Sequence, residues 1–254
     1  MSGSAEERVA LVTGGGKGVG AGVARVLAAR GVRCCIGCNT NADMARETQK
    51  AIEAAGGEAF VWQADVSDPA QVRGMVDAVV ARWGRLDILV NNAAMQLNRY
   101  IDEYDYATLR RLWEINIGGY FHSVRAALPH LRDSACGRIV NISSIHGKRP
   151  TCFDAGYAMT KGAIRMFTRE LALELFADGI TVNAVDLGGC KIEFKTGKPL
   201  SRGHNPIDCW NPDLPHWFMV TPEDVGELVW FLCSPGASAM TGDAIRVDKG
   251  LVLI

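Results

Sequence analysis

The sequence predicts an α/β protein with a doubly wound parallel sheet of about seven strands and helices on both faces. Short apolar segments rich in β-branched residues alternate along the chain with longer segments of helical periodicity. Strands that alternate with helices indicate right-handed βαβ units and a parallel sheet covered on both sides. The length of 254 residues, without a linker or an internal repeat, fits a single domain over 1–254.

The first half of the chain holds four predicted strands. The strand at 86–91 contains Ile88-Leu89-Val90, an almost continuous apolar run that indicates burial on both sides. The other segments follow the same distinction between apolar runs and helical periodicity. In chain order we predict strands at 8–12, 32–38, 59–63 and 86–91, and helices at 19–29, 42–55 and 69–83.

The second half continues the alternation until one long interruption. We predict helices at about 107–131, 155–177 and 222–233, and strands at 138–142, 181–185 and 244–247. The interruption at 188–220 contains Trp210 and Trp217 and several prolines. Connections of this length are usually functional or disordered. We therefore predict a substrate lid at 188–220, with a packing or assembly role as the alternative.

Composition and charge exclude several classes of protein. The chain has 27 Lys and Arg against 28 Asp and Glu, a net charge of −1, which argues against a nucleic-acid partner or an anionic membrane surface. The longest uncharged stretch, 228–242, is too short to span a bilayer. The first residues show no secretory signal pattern. We therefore expect a cytoplasmic protein that acts on a small molecule.

The cysteines are interpreted as buried, reduced side chains. Cys35 and Cys38 form a C-x-x-C pattern, but they lie in an apolar run that reads as a strand, and no second ligand pair follows. We therefore predict no metal site.

A glycine cluster separates the first strand from the first helix. Glycines permit a tight turn and a close approach of the backbone to a pyrophosphate, which the helix N-terminus then favours. The segment lacks the G-x-x-x-x-G-K-[ST] pattern of phosphate-binding NTPase loops, and a simple turn is the alternative reading. The predicted nucleotide-binding residues here are Thr13, Gly14, Gly16, Lys17, Gly18, Val19 and Gly20.

The spacing of this loop resembles the T-G-x-x-x-G-x-G pattern of the short-chain dehydrogenase/reductase family. Other motifs extend the resemblance over almost the whole chain: Asn91-Asn92-Ala93-Ala94 resembles the family's N-N-A-G, and Ser144, Tyr157 and Lys161 match its Ser…Tyr-x-x-x-Lys set. The resemblance implies a Rossmann-like dinucleotide-binding and catalytic domain and an NAD(P)-dependent oxidoreductase acting on CH–OH donors. It implies cofactor contacts from Asp65, Val66, Asn92, Ala93, Ala94, Tyr157, Lys161 and Gly188.

Tyr157 and Lys161 share one helix face because they are four residues apart. A free phenol has a pKa near 10, and a nearby ammonium favours the phenolate, so we expect Tyr157 to exchange a proton with a carbonyl or alcohol. Ser144 can hydrogen-bond the same oxygen. The family resemblance adds ribose contacts for Lys161 and a water-mediated relay through Asn116. A surface Tyr/Lys pair is the alternative reading.

The predicted substrate-binding residues are Ser144, His146, Arg149 and Tyr157. Ser143 is the competing serine, but the 13-residue spacing to Tyr157 selects Ser144. His146 either contacts substrate or fills the loop, and a His at this offset resembles sugar and polyol members such as glucose dehydrogenases, while other features resemble ketoreductases. Arg149 and the basic residues of the predicted lid, Lys191, Lys195, Lys198, Arg202 and His204, suggest an anionic substrate, with a solvated loop face as the alternative.

Four positions depart from the family pattern, the first being Ala94 in place of the final Gly of N-N-A-G. Leu187 takes the place of a Pro and Ile192 lies near the place of a Thr that contacts the nicotinamide amide. Near the C-terminus, Val247-Asp248-Lys249-Gly250 resembles V-D-G-G, with Lys249 in place of a Gly.

We predict NADP(H) as the favoured cofactor, with NAD(H) possible. An acidic residue after the second strand would repel the 2′-phosphate. The chain has Asn39 and Thr40 there, and Lys17 adds positive charge to the glycine loop. Asp43 is contrary evidence, although it lies a few residues later.

We also predict a homotetramer, because the family usually assembles through its long helices and the C-terminus 250–254 is strongly apolar. Packing of that end within its own subunit is the alternative. Two other functions stay open: an epimerase or dehydratase that retains its cofactor, and a non-catalytic nucleotide-binding protein.

Overall fold

The sheet is parallel throughout, as the alternating pattern predicts. The computed structural model describes residues 8–149, 154–191 and 219–253. Within these ranges, seven strands form one sheet in the order β3-β2-β1-β4-β5-β6-β7. The strands are β1 (Val9–Val12), β2 (Arg33–Cys38), β3 (Ala59–Gln63), β4 (Ile88–Asn91), β5 (Arg138–Ser144), β6 (Thr181–Leu187) and β7 (Ala244–Val247).

Helices cover both faces of this sheet, which confirms the predicted fold class. The helices are α1 (Gly18–Ala29), α2 (Ala42–Ala54), α3 (Pro69–Trp83), α4 (Tyr106–Trp113), α5 (Gly119–Asp133), α6 (Ala155–Glu174) and α7 (Pro222–Cys233). One buried cluster joins α1, α2 and α7 to the sheet, and a second joins α3, α5 and α6 to the opposite face. None of the described helices is long and apolar enough to cross a membrane.

Strand β2 separates the two cysteines of the C-x-x-C pattern. Side chains alternate between the two faces of a strand. Cys34 and Cys38 accordingly belong to one buried cluster, whereas Cys35 belongs to the cluster on the other face. The C-x-x-C pair Cys35 and Cys38 therefore points to opposite sides of the sheet.

The strand order reverses between β1 and β4, and this place creates a crevice at the carboxyl ends of the strands. Ligands of open α/β sheets bind at such switch points. The glycine loop follows β1, and the Asn91-Asn92-Ala93-Ala94 motif begins at the end of β4. The two segments therefore meet at the same edge of the sheet.

The single helix predicted over 107–131 is two helices, α4 and α5. A π-helical turn, Glu114–Gly118, joins them. The wider turn places Asn116 inside, where its buried side chain forms hydrogen bonds with Met95 and Thr160. Such π turns often lie at functional sites.

Strands β5 and β6 are longer than predicted and end side by side. Ser144, the last residue of β5, pairs in register with Leu187, the last residue of β6. Two Ser144 neighbours, His146 and Arg149, follow in the loop that contains the short 3-10 turn Ile145–Gly147. The predicted helix over 155–177 ends earlier, at Glu174.

Candidate active site

The glycine loop is held rigidly against the segment after β4. The Thr13 hydroxyl oxygen accepts hydrogen bonds from the backbone N–H groups of Asn92 at 3.0 Å and Ala93 at 3.2 Å. The Asn92 side-chain amide donates to the carbonyl oxygens of Thr13 and Gly14, both at 3.0 Å. These contacts shape the turn that leads into the N-terminus of α1, where free N–H groups favour an anion.

Two glycines of this loop are required by its geometry. Gly14 has φ +62°, in the left-handed region that other residues rarely adopt. A Cβ on Gly20 would lie 2.4 Å from the carbonyl oxygen of Gly14. The loop therefore keeps a bare backbone surface at the crevice.

Polar side chains lie in this loop and just after the end of β2. Lys17, Asn39 and Thr40 are exposed. The carboxylate of Asp43 forms an exposed ion pair with Arg46 at 2.8 Å. Arg46 was not selected from the sequence, although its i, i+3 spacing from Asp43 on a predicted helix indicates an ion pair. The one acidic group that argued against NADP therefore has a cationic partner.

Asp65 is held by neighbours on two elements. Its carboxylate accepts hydrogen bonds from the Ser67 backbone N–H at 2.9 Å and hydroxyl at 2.6 Å, and Arg111 of α4 forms an ion pair with it. Partial burial raises the pKa of Asp65, but the Ser67 hydrogen bonds and the Arg111 charge outweigh it and lower the pKa to about 2. Val66 is buried against Gly119, where a Cβ would lie 2.7 Å from a Val66 methyl carbon.

Ser144, Tyr157 and Lys161 converge at the ends of β5 and β6. The Ser144 hydroxyl donates to the carbonyl oxygen of Leu187 at 3.3 Å. Lys161 is buried, and its Nζ donates to the carbonyl oxygen of Ile142 at 2.8 Å. The same Nζ lies 5.4 Å from the centroid of the Tyr157 ring. The predicted helix-face pair is thus brought next to the predicted serine.

Burial decides the protonation of the two helix residues. It lowers the pKa of Lys161 from 10.5 to about 7. Burial also raises the pKa of Tyr157, hydrogen bonding with Ser144 lowers it in part, and the Asp154 charge raises it further. The pKa of Tyr157 is therefore raised, not lowered as the adjacent ammonium predicts, because burial desolvates the phenolate.

Asn116 ties the segment after β4 to helix α6. Its side-chain oxygen accepts from the Met95 N–H at 2.7 Å, and its amide donates to the Met95 carbonyl at 2.9 Å and to the Thr160 hydroxyl at 3.1 Å. Thr160 donates in turn to the carbonyl oxygen of Tyr157 at 2.7 Å. The network therefore links the predicted Asn to the predicted Tyr.

The competing serine and the predicted substrate residues have distinct surroundings. Ser143 is buried and donates to the Lys161 carbonyl oxygen at 3.2 Å, so it packs under the helix. The His146 ring lies edge-on to the Tyr157 ring with 5.8 Å between centroids, and burial lowers its pKa. Arg149 is exposed, and its guanidinium donates to the carbonyl oxygen of Val252 in the C-terminal segment.

Gly188 begins the predicted lid in a confined place. Its N–H donates to the Val247 carbonyl oxygen at 2.9 Å, and a Cβ would lie 2.5 Å from the Asp248 Cβ. The ends of the segment meet, because Lys191 N–H donates to Val220 at 2.7 Å. Residues 192–218 of the predicted lid, with Ile192, Lys195, Lys198, Arg202, His204 and both tryptophans, lie outside the described residues.

Comparisons with known proteins agree with this arrangement. A family model described as short chain dehydrogenase matches residues 8–201. The chain is 35% identical to 3beta-hydroxysteroid dehydrogenase 1 of Eggerthella lenta, over 97% of this chain and 94% of that protein. It is 34% identical to cis-4-hydroxycyclohexanecarboxylate dehydrogenase of Sinomonas cyclohexanicum, over 98% of both chains.

A solved structure matches the fold equally well. A variant of actinorhodin polyketide ketoreductase in complex with NADPH superimposes with a TM-score of 0.85 at 32% identity, covering 98% of each chain. The motifs, the sheet order and these matches agree along the chain. The protein belongs to the short-chain dehydrogenase/reductase family and is an NAD(P)-dependent oxidoreductase that acts on a hydroxyl or carbonyl group.

Proposed function

We propose that the protein interconverts a ketone and a secondary alcohol on a carbocyclic compound, with NADP(H) as its preferred cofactor. The observation that carries the proposal is the convergence of Ser144, Tyr157 and Lys161 beside the glycine loop. When bound, the nicotinamide supplies or accepts the hydride. Tyr157 transfers the proton to or from the substrate oxygen, and Ser144 hydrogen-bonds the same oxygen.

The surroundings of Tyr157 keep its hydroxyl in the protonated form. An ordinary phenol has a pKa near 10 and burial raises the pKa of Tyr157 further, so the hydroxyl carries the proton that we assign to the carbonyl oxygen. Lys161, whose pKa burial lowers to about 7, exchanges its own proton near neutral pH. We assign Lys161 also to the cofactor ribose and Asn116 to a water-mediated relay that returns a proton to Lys161.

The cofactor preference rests on the charge around the end of β2. Lys17, Asn39 and Thr40 are exposed and present no carboxylate. The nearest acidic candidate, Asp43, forms an ion pair with Arg46. A 2′-phosphate would therefore meet positive charge and neutral hydrogen-bond donors, whereas NAD would find no carboxylate for its ribose 2′-OH.

The substrate class rests on relatives and on the site together. Two relatives are named as dehydrogenases of ring-bound hydroxyl groups, one in a steroid and one in a cyclohexanecarboxylate. Arg149 lies five residues after Ser144 and keeps further guanidinium N–H groups beyond the one that contacts Val252. We propose that it favours a carboxylate or similar anion on the ring. A sugar or polyol is the second candidate, favoured by His146 beside Tyr157.

The test is a rate comparison at 340 nm with NADPH and NADH against cyclohexanone, 4-oxocyclohexanecarboxylate and 2-tetralone, and with NADP⁺ against glucose. We expect ketone reduction with a higher kcat/KM for NADPH, and a higher KM for the carboxylate but not for cyclohexanone in Arg149→Ala. Faster turnover with NADH would reverse the assignment of the cofactor. Oxidation of glucose without reduction of any ketone would reverse the assignment of the substrate class. Product formation without any absorbance change would favour an epimerase or dehydratase.

We also propose assembly into a homotetramer through α5 and α6. Phe121, Met159 and Met166 on these helices are each at least half exposed. Phe121 also lines an apolar groove between the two helices, together with Ile117, Gly118, Tyr120, Ala163, Ile164 and Phe167. Exposed apolar surface of this extent supports a contact between copies of the chain. Sedimentation of a 27 kDa species alone at micromolar concentration would overturn this proposal.

A further inference from the structure

Asp154, the residue before α6, is a buried carboxylate with four hydrogen-bond donors. It has φ +67° and is fully buried. One carboxylate oxygen accepts from the N–H groups of Leu97 at 3.1 Å and Asn98 at 2.9 Å. The other accepts from the Tyr157 N–H at 3.0 Å and from the Tyr104 hydroxyl. Sequence reasoning did not select either Asp154 or Tyr104.

Tyr104 is seated on the helix that carries Tyr157. A Cβ on Gly156 would lie 2.9 Å from the Tyr104 ring carbon that bears the hydroxyl and 3.0 Å from the hydroxyl oxygen. Only a glycine therefore leaves room for this ring at the start of α6. The Asp154 N–H also donates to the Arg99 carbonyl oxygen at 3.1 Å.

The segment 95–104 is thus fastened at both ends to proposed catalytic elements. Asn116 holds Met95 through two hydrogen bonds, and Asp154 holds Leu97, Asn98 and Tyr104. The segment follows β4, whose neighbour β5 ends in Ser144. It therefore begins at the carboxyl edge of the sheet, where the substrate of a doubly wound sheet binds.

We propose that Asp154 and Tyr104 are positioning residues that hold the segment 95–104 against Tyr157 as a wall of the substrate site. The inference rests on the proposed role of Tyr157 as proton donor. A carboxylate suits this place because it accepts four hydrogen bonds, whereas an amide oxygen accepts two and its NH₂ group would face N–H donors. The competing explanation is that Asp154 only caps the N-terminus of α6.

Two substitutions separate these explanations. Tyr104→Phe keeps the aromatic ring packed on Gly156 and leaves Asp154 to accept the Tyr157 N–H as helix cap. It removes only the hydrogen bond from the Tyr104 hydroxyl to Asp154. Asp154→Asn keeps the backbone conformation, which Asn tolerates well, but leaves one carboxylate oxygen replaced by an NH₂ group, so one of the two donor pairs loses its acceptor. Tyr106→Phe is the matched control, because Tyr106 is exposed at the start of α4.

Three measurements are made on the full chain. Hydrogen exchange followed by mass spectrometry reports protection of residues 95–104 and 154–161. Steady-state kinetics with NADPH use whichever of cyclohexanone, 4-oxocyclohexanecarboxylate and 2-tetralone is reduced fastest. NADPH fluorescence titration gives the cofactor Kd of each variant.

For Tyr104→Phe we expect faster exchange in 95–104, a KM for the ketone raised about tenfold, kcat within about twofold and an unchanged NADPH Kd. Asp154→Asn should show the same faster exchange in 95–104, together with a raised KM for the ketone and a lowered kcat. If Tyr104→Phe has the same hydrogen exchange in 95–104 and the same KM as wild type, Asp154 serves only as a helix cap and the proposal is overturned. Tyr157→Phe tests the proposed function separately. If it loses activity while Tyr104→Phe behaves as wild type, the positioning proposal fails and the role of Tyr157 stands.

Discussion

Lys161 and Tyr120 donate hydrogen bonds to the same acceptor, the carbonyl oxygen of Ile142, at 2.8 Å and 2.9 Å. Both side chains are buried, and the Lys161 Nζ lies 5.7 Å from the centroid of the Tyr120 ring. Ile142 stands two residues before Ser144 in β5. The strand that carries the proposed serine therefore also positions the proposed lysine.

The burial of Lys161 predicts a pH-dependent stability. Its pKa falls from 10.5 in the unfolded chain to about 7 in the folded one, so between these values the unfolded state binds more protons. Its contribution to stability therefore rises with pH across this window, by at most about 1.4 kcal/mol per pH unit, and the penalty for burying the charge is greatest below pH 7. Lys161→Met should accordingly stabilise the protein more at pH 7 than at pH 9.

Urea denaturation of wild type and Lys161→Met at both pH values measures this effect. Buried cysteines, whose raised pKa values lower stability at alkaline pH, are common to both proteins and cancel in the comparison. An equal difference in unfolding free energy at pH 7 and pH 9 would show that Lys161 keeps its ordinary pKa.

The end of β2 predicts a cofactor switch. Asn39→Asp places a carboxylate where a 2′-phosphate would lie, so kcat/KM for NADPH should fall by at least about tenfold while that for NADH is kept or improved. The variant Asn39→Ser adds no charge and serves as the control. If Asn39→Asp lowers kcat/KM equally for both cofactors, the 2′-phosphate is bound elsewhere.

The left-handed backbone conformation of Lys249 is expected to lower the stability of the protein. It has φ +48°, in the left-handed region, and its Nζ lies 3.6 Å from an Asp224 carboxylate oxygen on α7. Lys249→Gly and Lys249→Ala both lose this ion pair, but only Gly relieves the backbone, so the Gly variant should be more stable by about 1 kcal/mol. Chemical denaturation of the pair decides this. An Ala variant at least as stable as the Gly variant would contradict it.

The exposed face of α5 and α6 predicts where the copies meet. Phe121→Glu places a charge in the proposed contact and should reduce the sedimentation coefficient to that of a smaller species. Met44→Glu, on the exposed surface of α2, is the control and should leave the assembly intact. If Phe121→Glu assembles as wild type does, the exposed face of α5 and α6 is not the contact between copies.

The fold and the proposed catalytic residues could be predicted because their signals are local. The alternation of segments predicts the parallel sheet, and the fixed spacing of Tyr157 and Lys161 predicts one helix face. Ser144 could be separated from Ser143 by spacing, and the structure gives the reason, since Ser143 lies under α6.

Other features depend on tertiary contacts that no local pattern reveals. Asp154, Tyr104 and Arg111 acquire their roles only when segments distant in the chain meet in the fold. The sequence around Asn116 keeps helical periodicity and so predicts a continuous helix, whereas the structure has a π turn there. The raised pKa of Tyr157 likewise comes from burial, which the i, i+4 spacing from Lys161 does not report.

The most direct test of the account is Tyr157→Phe, measured by NADPH oxidation at 340 nm and by NADPH fluorescence titration on the same preparation. Removal of the hydroxyl removes the proton donor, so we expect kcat to fall by at least about 10²-fold while the NADPH Kd stays within about threefold of wild type. A folded Tyr157→Phe protein with kcat close to that of wild type would show that Tyr157 does not transfer the proton.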